Sequence, residues 1–159
     1  MELSISDKFA IFEQLSLHQC YIDNDPSRTS VEKYLSLYWP EATFTVHDLR
    51  SQTFTGFEGL KNLYDYAHSV FPISKWSHSM GWFEITGISE TKASVQWRWI
   101  VNWKEDKEGV VSTGTYTDVF EKRNDKWKPI ERISDIDPNW PGHLFQPFVD
   151  KQDQTFKAS

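Results

Sequence analysis

An aspartate occupies a place that helix stability would not give it. In the stretch HQCYIDNDPSRTS, residues 18–30, Asp23 falls where a first helical pattern ends, and Asn24, Asp25 and Pro26 then break the chain. A carboxylate there meets the negative end of the helix dipole. One residue that could explain it is His78, in KWSHSMGW near the start of the first long strand pattern, where Trp76, Met80 and Trp82 share its alternation parity. A carboxylate beside an imidazole fixes the ring's tautomer and leaves the other nitrogen free to accept a proton, the pairing that general acid–base catalysis needs. The competing reading is a core histidine with a satisfied hydrogen bond and a surface aspartate at a helix end.

Other residues bear on the same chemistry. His18 shares the apolar stripe of the first helix, about one and a half turns before Asp23, where a histidine is more often packed than catalytic. In TGTYTDVFEKR, Tyr116, Asp118 and Phe120 share one strand face, and in KPIERIS, Lys128, Ile130 and Arg132 share another. A structural Asp118–Arg132 salt bridge between neighbouring strands competes with any catalytic role for either. The nucleotide, nucleophile and zinc signatures GxGxxG, GxSxG, HExxH and CxxC are missing, as is a P-loop. The five histidines, at 18, 47, 68, 78 and 143, lack helical metal-ligand spacing, so no metal is expected.

The elements that must position these groups can be read from periodicity. Ser4 can cap a first helix with Ile5, Phe9 and Phe12 joined by Ile11, Leu15, His18 and Ile22 at helical spacing. Thr29 and Glu32 form a capping-box pattern for a short second helix with Val31, Leu35 and Tyr38, closed by Trp39-Pro40. ATFTV (42–46) and QTFT (52–55) read as short strands. Thr55 to Glu58 then opens a third helix, with Leu60, Leu63, Tyr64, Ala67 and Val70 inward and Pro72 as its stop. From Trp76 the period becomes two, predicting strands over 76–87, 92–104, 111–122 and 126–134 with polar turns between them. Helices followed by an antiparallel meander describe an α+β domain.

Size and charge bound the answer further. The chain has 159 residues, enough for one domain with a core, and 16% aromatic residues with eight tryptophans, an excess suited to an apolar pocket or an interface. Its net charge of −6 argues against nucleic acid and anionic membrane as partners. The single Cys20 cannot form an internal disulfide, no apolar run reaches membrane-spanning length, and MELSISDK is unlike a signal peptide, so the expected location is cytoplasmic. The segment DPNWPGHLFQPF has three prolines, which exclude a regular helix, and four large apolar side chains at Trp140, Leu144, Phe145 and Phe148. It must dock, as a pocket lid, a subunit clasp or both.

Taken in order, IDND, FTGFEGLKNL, SHS and GTYTDVFEKRNDKWKPIERIS resemble the SnoaL-like branch of the nuclear-transport-factor-2-like (NTF2-like) superfamily, over residues 5 to about 136. Within it the chain is similar to the scytalone dehydratase, hexachlorocyclohexane dehydrochlorinase and bile-acid dehydratase families. The resemblance implies an NTF2-like cone, with three N-terminal helices packed on a strongly curved, mostly antiparallel sheet, as one domain over 1–136 followed by a tail over 137–159. It implies a lyase without a cofactor, in which His78 takes a proton from a carbon acid and Asp23 holds its tautomer. Arg132 matches an arginine that assists the departing group in the dehydrochlorinase. His18 stands where the bile-acid dehydratase carries a tyrosine, and Asp118 and Phe120 stand near small polar ligand-binding groups of scytalone dehydratase.

By the same resemblance Phe44, Trp97, Trp99 and Tyr116 would wall the pocket, and Trp140 and Phe145 of the tail would close it. The expected substrate is a small hydrophobic aromatic or alicyclic molecule. The same pocket, with Asp118 as acid or base, could instead serve a ketosteroid-isomerase-like proton shuttle or a SnoaL-like cyclisation. A module that only binds ligands or assembles is the alternative outside enzymology. Gln96, Arg98, Ile100 and Asn102 form a mixed outer face suited to a homo-oligomer, a trimer or a dimer.

Overall fold

Ser4 opens the first helix as its type predicts. Its hydroxyl accepts the Asp7 backbone N–H at 3.1 Å and donates to the Asp7 carboxylate at 2.6 Å. In this computed structural model, which describes residues 1–23, 30–47, 51–70, 75–104 and 109–137, helix α1 runs over Ile5–Ile22 and ends on Asp23 as its C-cap. Its buried face is Ile11, Leu15, His18 and Gln19. The expected stripe through Ile5 and Phe9 is corrected: these residues are 87% and 66% exposed, and the helix turns Ile11, Leu15 and His18 inward instead. A polar anchor of the same helix is Asp7, whose carboxylate accepts from Trp127 Nε1 at 2.7 Å and Lys122 Nζ at 2.9 Å.

Helix α2 is short, Val31–Ser36, and its N-cap is Ser30, whose hydroxyl accepts the Lys33 N–H at 3.2 Å. That places the cap one residue after the expected Thr29, which lies outside the described residues. Tyr34, Leu37 and Tyr38 are buried, so the inward face of this segment is largely tyrosine. Strands β1 (Thr43–Val46) and β2 (Gln52–Thr55) follow, and only then comes α3 (Gly56–Val70). The third helix is therefore separated from the first two by a hairpin and is not part of an N-terminal three-helix block. Gly56 makes the turn into α3 at φ +66°, a left-handed conformation in which a Cβ would be strained, and a Cβ there would also crowd the Pro40 carbonyl at 3.2 Å.

Four long strands complete the chain: β3 (Trp76–Ser89), β4 (Lys92–Trp103), β5 (Val110–Arg123) and β6 (Lys126–Ile136). The sheet order is β2-β1-β6-β5-β4-β3, with every neighbour antiparallel except β1 and β6, which pair in parallel. Alternation sends Ala93, Val95, Trp97, Trp99 and Val101 of β4 and Tyr116, Asp118 and Phe120 of β5 to the covered face. The β5–β6 hairpin turns on Asn124 and Asp125, both at positive φ (49° and 58°), the geometry of a two-residue loop that these types tolerate.

Two register shifts correct the parity expected from simple alternation. Between Met80 and Phe83, three steps along β3 face two steps along β4, so Trp82 leaves the face of Trp76 and His78 and is 48% exposed. Between Val119 and Phe120 the pairing with β6 also slips. Arg132 therefore shares its buried face with Trp127, Pro129 and Ser134, and not with Lys128 and Ile130. Among the described residues no helix is long and apolar enough to cross a membrane. The segment 138–159, with Trp140 and Phe145, lies outside the described residues.

Candidate active site

Asp23 and His78 meet although 55 residues separate them. Asp23 ends α1 with extended backbone (φ −68°, ψ 128°), which turns its carboxylate away from the helix axis toward the start of β3. The His78 backbone N–H reaches Asp23 Oδ1 at 3.0 Å and Oδ2 at 3.2 Å, and His78 Nδ1 lies 2.6 Å from Oδ1. A carboxylate can only accept, so Nδ1 carries the proton of this contact. The side chains are 10% and 19% exposed for His78 and Asp23, a partly enclosed pair that solvent screens less than a surface contact. The backbone hydrogen bond matters as much as the ring contact, because it ties the orienting group to the strand that carries the base.

Arg132 and Asp118 form a second polar unit, fully buried between β5 and β6, where they are register partners. Arg132 Nε donates to Asp118 Oδ1 at 2.7 Å and Nη2 to Oδ2 at 2.8 Å. Trp97 Nε1 donates to the same Oδ2 at 2.8 Å, and Arg132 Nη1 donates to the Tyr38 hydroxyl at 2.7 Å. The guanidinium also faces the rings of Tyr38, Phe44, Trp97 and Tyr116 at 4.9–5.7 Å. Burial works against its charge, but the Asp118 carboxylate, with Tyr38 and Tyr116, holds the Arg132 guanidinium above its ordinary range. The expected cross-strand salt bridge is thus present, and it occupies both oxygens of Asp118. Tyr38 was legible only as an apolar stripe position; nothing in its spacing announced that its hydroxyl would complete the Arg132 set.

The aromatic residues expected as walls are together. Phe44 meets Tyr116 edge-on at 5.8 Å, Trp97 lies 4.7 Å from Tyr116, and Trp99 lies 6.0 Å from it. Gly114 faces Trp99 across the β4–β5 register, and a side chain there would overlap the indole and the Asp135 carbonyl. His18 sits inside this group, 1% exposed, with Trp97 and Tyr116 edge-on at 5.6 Å and Tyr34 at 5.8 Å. Neither of its ring nitrogens has a hydrogen-bond partner among the described residues, an omission that costs about 1–3 kcal/mol per buried polar group. Burial, then the nearby Arg132 and His78, pushes its pKa well below the ordinary 6.5, so the ring is neutral. A narrow crevice, too tight for a water-sized sphere, runs beside His18, Arg132, Tyr38 and Phe120.

His68, on α3, stacks on Tyr64 at 3.9 Å, and burial lowers its pKa below the ordinary imidazole value. The remaining expected wall residues, Trp140 and Phe145, lie outside the described residues. Among the described residues no group of three or more His, Cys, Asp or Glu side chains could hold a metal ion.

A family model described as a SnoaL-like domain matches residues 4–133. In fold, the chain is similar to a protein of unknown function with a cystatin-like fold from Nostoc punctiforme, at 23% identity over 89% of this chain and 98% of that one, with a TM-score of 0.76. It is also similar to hexachlorocyclohexane dehydrochlorinase LinA-type3 of Novosphingobium barchaimii, at 17% identity over 84% of this chain and 88% of that one, TM-score 0.69. A candidate scytalone dehydratase of Novosphingobium aromaticivorans matches at 18% identity over 84% and 85% of the two chains, TM-score 0.67. At these identities the likeness is one of fold. No curated relative matches the chain in sequence.

Proposed function

The chain belongs to the SnoaL-like domain family, and from that premise we propose that it is a cofactor-independent lyase acting on a small alicyclic or aromatic substrate. The observation that carries the proposal is the 2.6 Å contact between His78 Nδ1 and Asp23 Oδ1, with the same carboxylate bound to the His78 backbone. His78 Nε2 takes a proton from a carbon of the substrate. The electron pair of that C–H bond becomes the second bond of a C=C, and the group on the neighbouring carbon leaves with the electrons of its own bond. Asp23 stabilises the imidazolium formed in between, and the proton passes from Nε2 to the departing group or to water.

Arg132 contributes a fixed positive charge among the aromatic rings of the covered sheet face. Because Asp118 and Tyr38 already take three of its N–H groups, it acts by field and by the N–H groups left over, not as a free clamp. The same occupancy disfavours Asp118 as the acid or base of an isomerase, since both its oxygens accept buried hydrogen bonds. Dehydratase-like and dehydrochlorinase neighbours of the same fold support elimination as the reaction class.

The test is a panel of alicyclic hydroxy ketones and chlorinated cyclohexanes, followed by NMR for new vinyl protons. The expected result is turnover of at least one class, reduced by about 10²–10⁴-fold in His78→Gln, the range a positioned general base supplies. Turnover unaffected by His78→Gln would contradict the assignment.

A further inference from the structure

Strand β3 is an edge of the sheet, and the chain's own groups cap its free side at two points. The His78 N–H donates to Asp23, and the Gly87 carbonyl accepts from the Met1 ammonium at 3.1 Å. We propose that the open stretch between them, centred on Phe83 and Ile85, is where a second copy of this chain adds its own β3 in antiparallel, with the exposed apolar stripe of α1 packing beside it. The proposal does not depend on the reaction assigned to the dyad.

Successive residues of a strand turn their N–H and C=O groups alternately to its two sides. The Gly87 carbonyl faces away from β4, and no register shift lies between Phe83 and Gly87, so the backbone groups of Ile85 and Phe83 face away as well. Among the described residues nothing bonds to them on that side. The strand holds no lysine or proline, the residues that commonly blunt an edge, and Glu84 is its single carboxylate. The bulge between Met80 and Phe83, with the Asp23 cap on His78, keeps the open stretch apart from the dyad.

The side chains beside this edge are apolar. Phe12 lies 5.3 Å from Phe83 and 6.5 Å from Phe9, and Ile5 stands one turn before Phe9. Ile5, Phe9 and Phe83 are 87%, 66% and 42% exposed, and Met1, bonded to Gly87, is 70% exposed. Together they present roughly 500 Å² of apolar surface, at the upper end of the largest patch on a typical monomer. Symmetry names the occupant. A twofold axis normal to the sheet pairs β3 with its copy and sets the two α1 stripes side by side on one face, so the same patch covers itself. Two copies then bury about 1,000 Å², the size that a specific interface needs. Centring the axis on Ile85 places Glu84 opposite Thr86 of the second copy, which avoids a facing pair of carboxylates.

Sedimentation equilibrium of the wild type should give twice the mass of the chain. Phe9→Lys, a change at an exposed position, should weaken the association at least about tenfold while the circular dichroism spectrum stays the same. Amide hydrogen exchange read by NMR gives a second readout: the Phe83 and Ile85 amides should be protected in the wild-type dimer and exchange faster on dilution and in Phe9→Lys. A monomeric wild type, or an oligomer whose dissociation constant Phe9→Lys leaves unchanged, would overturn the proposal. So would Phe83 and Ile85 amides that exchange freely in the oligomer, or that are equally protected in the monomer, since the chain would then cover its own edge. None of these readouts uses turnover, so they stand apart from the test of the dyad.

Discussion

At the scale of single residues, the chain keeps two imidazoles in opposite situations. His78 has an orienting carboxylate on Nδ1, whereas His18 is almost fully buried and has no hydrogen-bond partner among the described residues. The second situation has a measurable consequence for stability. An unfolded histidine binds a proton below about pH 6.5 while the buried His18 stays neutral, so the unfolded state binds more protons there and stability falls as the pH drops through that value. One such group supplies a slope of at most about 1.4 kcal/mol per pH unit. Urea unfolding at pH 7.5 and 5.5 should show a smaller loss in His18→Phe than in the wild type. The Arg132–Asp118 pair makes a different demand. Removing one partner strands the other charge in an apolar interior, so Asp118→Ala should cost about 3–5 kcal/mol by chemical denaturation. An apolar replacement of both residues at similar volume should recover much of that loss.

At the scale of elements, α1 works as a lever with one end fixed. Asp7 is held on the β5–β6 hairpin by Trp127 and Lys122, and the other end delivers Asp23 to β3. The Ser4 hydroxyl, with Trp127 and Lys122, lowers the Asp7 carboxyl to about 2. Its stabilising contribution is therefore full above the ordinary carboxylate value near 3.8 and is lost as the pH falls toward 2. The stability difference between wild type and Asp7→Asn should narrow between pH 5 and pH 2, followed by thermal unfolding. On the sheet, the flat seat of Trp99 depends on Gly114. Gly114→Ala should destabilise by about 1–3 kcal/mol through overpacking and should shift Trp99 fluorescence. These elements were largely legible, because the 3.6 and 2.0 periods and the Ser4 cap are local signals. The slips at Met80–Phe83 and Val119–Phe120 were not, since a bulge depends on how the facing strand pairs. They are what misplaced Trp82 and Lys128 in a reading by alternation.

At the scale of the whole molecule, the fold's work is to bring a helix end and a strand start together under a curled six-stranded sheet. The Asp23–His78 contact was readable from the family resemblance carried by the order of motifs, whereas spacing alone left a core histidine and a surface aspartate as the competing reading. The enclosed set around Arg132 was only half readable: cross-strand register suggested its bond to Asp118, but the Tyr38 hydroxyl and the Trp97 indole come from tertiary packing. The central claim is that Asp23 orients His78 as a base, and it is tested most directly by the ¹⁵N chemical shifts of the His78 ring in wild type and in Asp23→Asn. The account predicts a single tautomer with Nδ1 protonated in the wild type and a mixture once Asp23 loses its charge. An unchanged ring in Asp23→Asn would contradict it.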